Sequence, residues 1–162
     1  MFGFLKGPRI DKAALPETIE TRTGGILQLH RRELVAEDGS ILAEFASYKS
    51  SKIQARLGPP HRGKIDPAKW VVIYDAHVDH LTRHWKDLLA KQPLKINDLF
   101  RRYRNPDLDI ADLVHRADPP SLVIPMDRPI MMVFEPFPEF PSFNLTLELS
   151  QRYRVLSAVF EG

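Results

Sequence analysis

The chain contains no cysteine. Disulfides, thiolate nucleophiles and cysteine-ligated zinc are therefore excluded, and the absence suits a reducing compartment. Long apolar runs are missing too. The strongest, Trp70 to Tyr74 and Ile130 to Phe134, fall far short of the roughly 20 residues that cross a bilayer. The opening stretch, Met1 to Pro8, has four apolar side chains around Lys6 and a Gly-Pro stop, too little for a secretion signal. A soluble, cytoplasmic protein without a membrane partner is expected. No Gly-x-Ser-x-Gly elbow occurs. Gly24-Gly25 precedes a strand rather than opening a helix, so no phosphate-cradling fingerprint exists. Internal repeats and low-complexity tracts are also missing.

With 162 residues, the chain suits a single domain over 1–162 that buries about two-thirds of its unfolded surface. Its net charge of +2 hides an asymmetry. Residues 49–104 carry thirteen basic and five acidic side chains, whereas residues 105–162 carry four and nine. Self-complementary solvated charge is the simplest explanation.

The apolar spacing predicts an α+β fold. It comprises a mostly antiparallel sheet (an N-terminal hairpin plus C-terminal strands) with a central helical insertion around residues 76–116. Residues 7–18 read as an irregular lead-in. Strand formers over 26–36 and 41–48 flank Asp38-Gly39, a two-residue hairpin turn. That turn sets Val35 opposite Leu42 and Leu29 opposite Tyr48. Ile53, Ala55 and Leu57 suggest a third strand. Trp70 to Tyr74 has strand length, and Asp75 suits a helix N-cap. From Ala76 to Gln92 the apolar stripe Val78, Leu81, Trp85, Leu88, Leu89 is helical, and Pro93 ends it. Shorter helices are predicted over 98–104 and 106–116, with Pro106 in a first turn. Strands follow at 122–124, 130–134, 143–149 and 153–160.

Three of the six histidines lie between positions 77 and 84. On a helix, His80 falls about 60° and His84 about 20° from His77. Three imidazoles on one face suit zinc or another borderline divalent ion with an open water position. The competing explanation is a helix boundary whose histidines serve hydrogen bonding. The stretch Val71 to Asp79 resembles the strand and His-x-Asp motif of co-catalytic zinc aminoacylase-type peptidases. That resemblance implies a strand ending at a metal-binding His77. The family expects a glycine where Ala76 stands and a later pair of adjacent acids, which this sequence lacks. No family assignment follows.

Two further features suit binding. Arg101, Arg102 and Arg104 flank Phe100 and Tyr103, with Lys49, Lys52, Arg56, Arg62 and Lys64 upstream, a pattern fit for phosphates and stacked bases. No nucleic-acid motif accompanies them, and the net charge is low for that role. Phe134, Phe137 and Phe140 alternate with prolines. Exposed, they would form a stiff protein-docking edge; buried, they would wrap the sheet.

The expectation is a non-catalytic binding or assembly module, whose partner is another protein or a second copy in a homodimer. A metal-binding protein or metal-dependent hydrolase using His77, His80 and His84 is the alternative. A weak nucleic-acid binder through the basic middle is the second. No cofactor is expected beyond the divalent metal of the first alternative.

Overall fold

A computed structural model describes residues 7–35, 41–47, 53–91, 110–137, 142 and 144–161. Eight strands form one mostly antiparallel sheet: β1 (Thr18–Thr21), β2 (Gly25–Val35), β3 (Ile41–Ala46), β4 (Ala55–Gly58), β5 (Ser121–Pro125), β6 (Ile130–Phe134), β7 (Asn144–Leu149) and β8 (Val155–Glu161). Their spatial order is their sequence order. Every neighbouring pair is antiparallel except β4 and β5, which run parallel. A parallel pair needs a long crossover. Here the crossover carries the main helix, α1 (Pro67–Ala90), and the short α2 (Ile110–Arg116). The sheet is thus two four-stranded meanders joined at one parallel seam.

Helix α1 lies over the sheet because its apolar residues recur every three or four positions. Trp70, Tyr74, His77, Val78, Leu81, Trp85 and Leu89 are buried along one side. Opposite them, Leu27, Phe45, Leu57, Leu122, Ile124, Ile130, Met132, Leu145, Leu147 and Leu149 alternate inward from the strands. Trp85 packs on Phe134 with ring centroids 5.9 Å apart. Each such fully buried side chain contributes about 1.5–3 kcal/mol relative to exposure.

The expected strand at Trp70 to Tyr74 is instead the end of the first turn and the second turn of α1. Helix α1 starts at Pro67, not after Asp75. Asp66 accepts a hydrogen bond from Lys69 N at 3.2 Å and caps the helix, with Pro67 in its first turn. Val71, Val72 and Ile73 favour strands locally. Burial of Trp70 and Tyr74, one helical turn apart, outweighs that preference.

The first hairpin pairs one residue away from expectation. Leu34 faces Leu42 and Val35 faces Ile41. A register shift between His30 and Leu34 then sets Leu29 opposite Phe45, not Tyr48. Within the shift β2 takes four steps against two in β3, which a turn-based count cannot foresee. Asp38-Gly39 and Tyr48 lie outside the described residues, as does the expected helix over 98–104. Strand β1 begins at the last residue of the expected lead-in and continues past it; it pairs Ile19 with Leu27, and Ile19 is buried. The other expected strands are present within a few residues, and α2 occupies the later part of 106–116.

Among the described residues no helix is long and apolar enough to cross a membrane.

Candidate functional site

Helix α1 is fastened to the turns at the two edges of the sheet, β1–β2 and β7–β8. On one side Asp75, nearly buried, accepts hydrogen bonds from Arg22 N, Thr23 N and Thr23 Oγ1 in the β1–β2 turn. Arg22 also pairs with Asp79. The turn comes close enough only because residue 24 is glycine: a Cβ there would lie 2.8 Å from Tyr74 Oη. That hydroxyl donates to Ala55 O at 3.0 Å, and burial holds the phenol well above its ordinary range.

On the other side His77 meets the β7–β8 turn. Its Nδ1 lies 2.7 Å from Tyr153 Oη and its Nε2 lies 2.8 Å from Gln151 Oε1. Gln151 Nε2 donates to Arg128 O at 3.0 Å and more weakly to Pro125 O. The amide oxygen is therefore the group facing His77, and it can only accept. Hence His77 Nε2 carries the proton, and Nδ1 accepts from the Tyr153 hydroxyl. Tyr153 holds a φ of 64°, a left-handed conformation unusual for a non-glycine residue. Its ring stacks on His80 at 3.8 Å and 7°, and His80 in turn tilts against His84 at 4.6 Å. Burial lowers the His77 pKa below its ordinary value, partly offset by the Gln151 bond. His80 is lowered by burial first, then by the charges of His84 and His77.

The same network reaches the carboxyl ends of the parallel strands. Pro125 and Arg128 bracket Asp127, whose side chain is 1% exposed. Asp127 accepts from His61 N at 2.7 Å, from His61 Nδ1 at 2.9 Å and from Arg128 Nε at 3.2 Å. Gly58 leaves room for Arg128, since a Cβ there would meet Arg128 Nη2 at 3.1 Å and Pro125 Cα at 3.2 Å. These contacts fix how β4 and β5 end.

A different polar cluster occupies the face of β2–β4 turned away from the Leu27, Phe45 and Leu57 core. His30 and Glu44 are register partners, as are Ala46 and Arg56. With Ser47, Gln54 and Ala55 they line a hollow of about 220 Å³. The Glu44 side chain is 8% exposed, and Arg56 Nη1 approaches it at 3.4 Å.

The helix therefore does bring His77, His80 and His84 to one side, but not around a common point. His77 spends both ring nitrogens on protein partners, and His84 Nδ1 lies 3.7 Å from Asp87. Among the described residues no three histidine, aspartate or glutamate side chains are grouped to hold a metal ion. Phe134 and Phe137 are buried, 1% and 6% exposed, while Phe140, Arg101, Arg102 and Arg104 lie outside the described residues. Gln151, Tyr153, Asp127, His61 and the Glu44–Arg56 pair carry no local motif. Only the strand alternation around Glu44, an acid between apolar Ala43 and Phe45, marks a position worth asking about.

No family model, curated protein or solved structure matches the chain.

Proposed function

We propose that the protein is a non-catalytic binding module whose recognition surface is the Glu44–Arg56 hollow. One observation carries this reading: Glu44 is a buried acid, with one long contact to Arg56, in a hollow that mixes polar residues with Ala46 and Ala55. Buried charges are ordinarily paired and hydrogen-bonded, so an incoming group completes this one. The volume of about 220 Å³ lies below the ~300–1,000 Å³ of drug-sized ligand sites. It suits a single side chain of a partner protein or a small polar molecule. The histidines on α1 support the same reading indirectly, because His77 is spent on holding the fold.

Amide-resolved NMR during titration with a set of small polar compounds tests the proposal. Saturable shifts clustered on Glu44, Ala46, Ala55 and Arg56 are expected, and Glu44→Ala abolishes them. Shifts confined to residues 77–84 in every titration would sink it.

A further inference from the structure

The two charges of the hollow differ in how far water reaches them. The Glu44 side chain is 8% exposed and the Arg56 side chain 33%. Glu44 offers about four lone-pair sites. Among the described residues its side-chain partner is Arg56 Nη1 at 3.4 Å, longer than the usual ~2.7–2.9 Å of a charge-assisted bond. Solvent can serve the guanidinium, but it reaches the carboxylate poorly. Glu44 keeps acceptor sites beyond the one that Arg56 meets, and Arg56 keeps donors beyond the one it gives.

Simple ions fit this arrangement badly. A lone ammonium against Glu44 would sit beside the like charge of Arg56. A lone carboxylate against Arg56 would face Glu44. A compact ligand with both charges matches both groups at once and leaves the site neutral. We propose that the hollow binds a small zwitterion of the α-amino-acid class, with its ammonium on Glu44 and its carboxylate on Arg56. The inference rests on the binding-module reading and specifies its ligand. A volume of about 220 Å³ accommodates the ammonium, the carboxylate and a short side chain. The Gln54 amide, which lines the same hollow, adds a neutral hydrogen-bonding group at its wall.

The test compares four probes by NMR titration of the full chain: L-alanine, ethylammonium chloride, sodium propionate and acetamide. L-Alanine should shift the amides of Glu44, Ala46, Ala55 and Arg56 saturably, and bind at least about tenfold more tightly than either single-charge probe. That is the scale of one lost charged hydrogen bond. Glu44→Gln and Arg56→Gln should each weaken L-alanine by a similar factor. Arg56 lies nearer the solvent, so its variant keeps the test sound if the Glu44 variant misfolds. Ethylammonium binding as tightly as L-alanine would overturn the zwitterion and leave the hollow a cation site. So would acetamide alone shifting these amides, leaving a neutral-ligand site. No shift with any probe, nor with a wider set of polar fragments, would overturn the binding-module reading as well.

Discussion

His77 and Glu44 are buried to almost the same degree, 8% and 6% exposed, yet they are satisfied to opposite degrees. His77 has a partner at each ring nitrogen, both under 3 Å. Glu44 has one at 3.4 Å. A buried polar group that is fully partnered specifies packing; one that is poorly partnered is left for something else to complete. His77, the buried member of the histidine cluster that stands out in the sequence, belongs to the first kind. Glu44, which stands out less, is the proposed contact for a ligand.

The largest losses of stability are expected at the fastenings of α1. Asp75→Ala removes three hydrogen bonds and strands two backbone N–H groups of the β1–β2 turn. It should cost about 2–4 kcal/mol in chemical denaturation, since a hydrogen bond to a charged group is worth about 1.5–3 kcal/mol. His77→Ala should follow at about 2–3 kcal/mol, from the lost bonds and the cavity left behind. Tyr153→Phe takes away only the donor to His77 Nδ1 and should cost about 1 kcal/mol. By contrast, Glu44→Gln removes a poorly compensated charge and should shift stability by less than about 0.5 kcal/mol, or raise it. Equal losses at His77 and Glu44 would dissolve the distinction.

Acid acts on the histidines of α1. His77 and His80 have folded pKa values below the ordinary 6.5, so between the folded and unfolded values the unfolded chain binds more protons. Their contribution is complete above about pH 6.5 and is lost as pH falls through the lowered folded values. Urea midpoints measured from pH 7.5 to 5 should decline, and the double variant His77→Gln/His80→Gln should flatten that decline. The smallest effect expected is from a chelator: EDTA should leave the melting temperature of untagged protein unchanged. A drop in that temperature, reversed by zinc, would favour the metal-binding alternative at His77, His80 and His84.

Much of the sheet was legible because it obeys period two. Leu145, Leu147 and Leu149 alternate with polar residues, and Ile130, Met132 and Phe134 face inward as their spacing implies. Helix α1 was legible from Val78 onward, where the apolar stripe is flanked by charge. Its first turns were not, because Val71, Val72 and Ile73 carry strand preference and only contact with the sheet overrules it. The strand-length run and the cap-like Asp75 thus pointed to a boundary that does not exist. Asp75 has a different task, receiving a turn 52 residues away in sequence. The partners of His77 lie more than seventy positions on, beyond any local pattern. The register shift in β2 and the pairing of Glu44 with Arg56 are likewise products of how strands slide past one another, which periodicity alone does not set.

The parallel seam between β4 and β5 has a kinetic consequence. Every antiparallel pair joins strands that follow one another along the chain, so each can zip early with little loop-closure entropy. The seam cannot. Gly58 and Pro125, its last register partners, meet only after the whole crossover has been gathered in, and such distant pairings slow folding. Each meander should therefore gain protection from hydrogen exchange before the seam does. Asp127, which ties the two strand ends together through His61, would act as a latch closed near the end of folding.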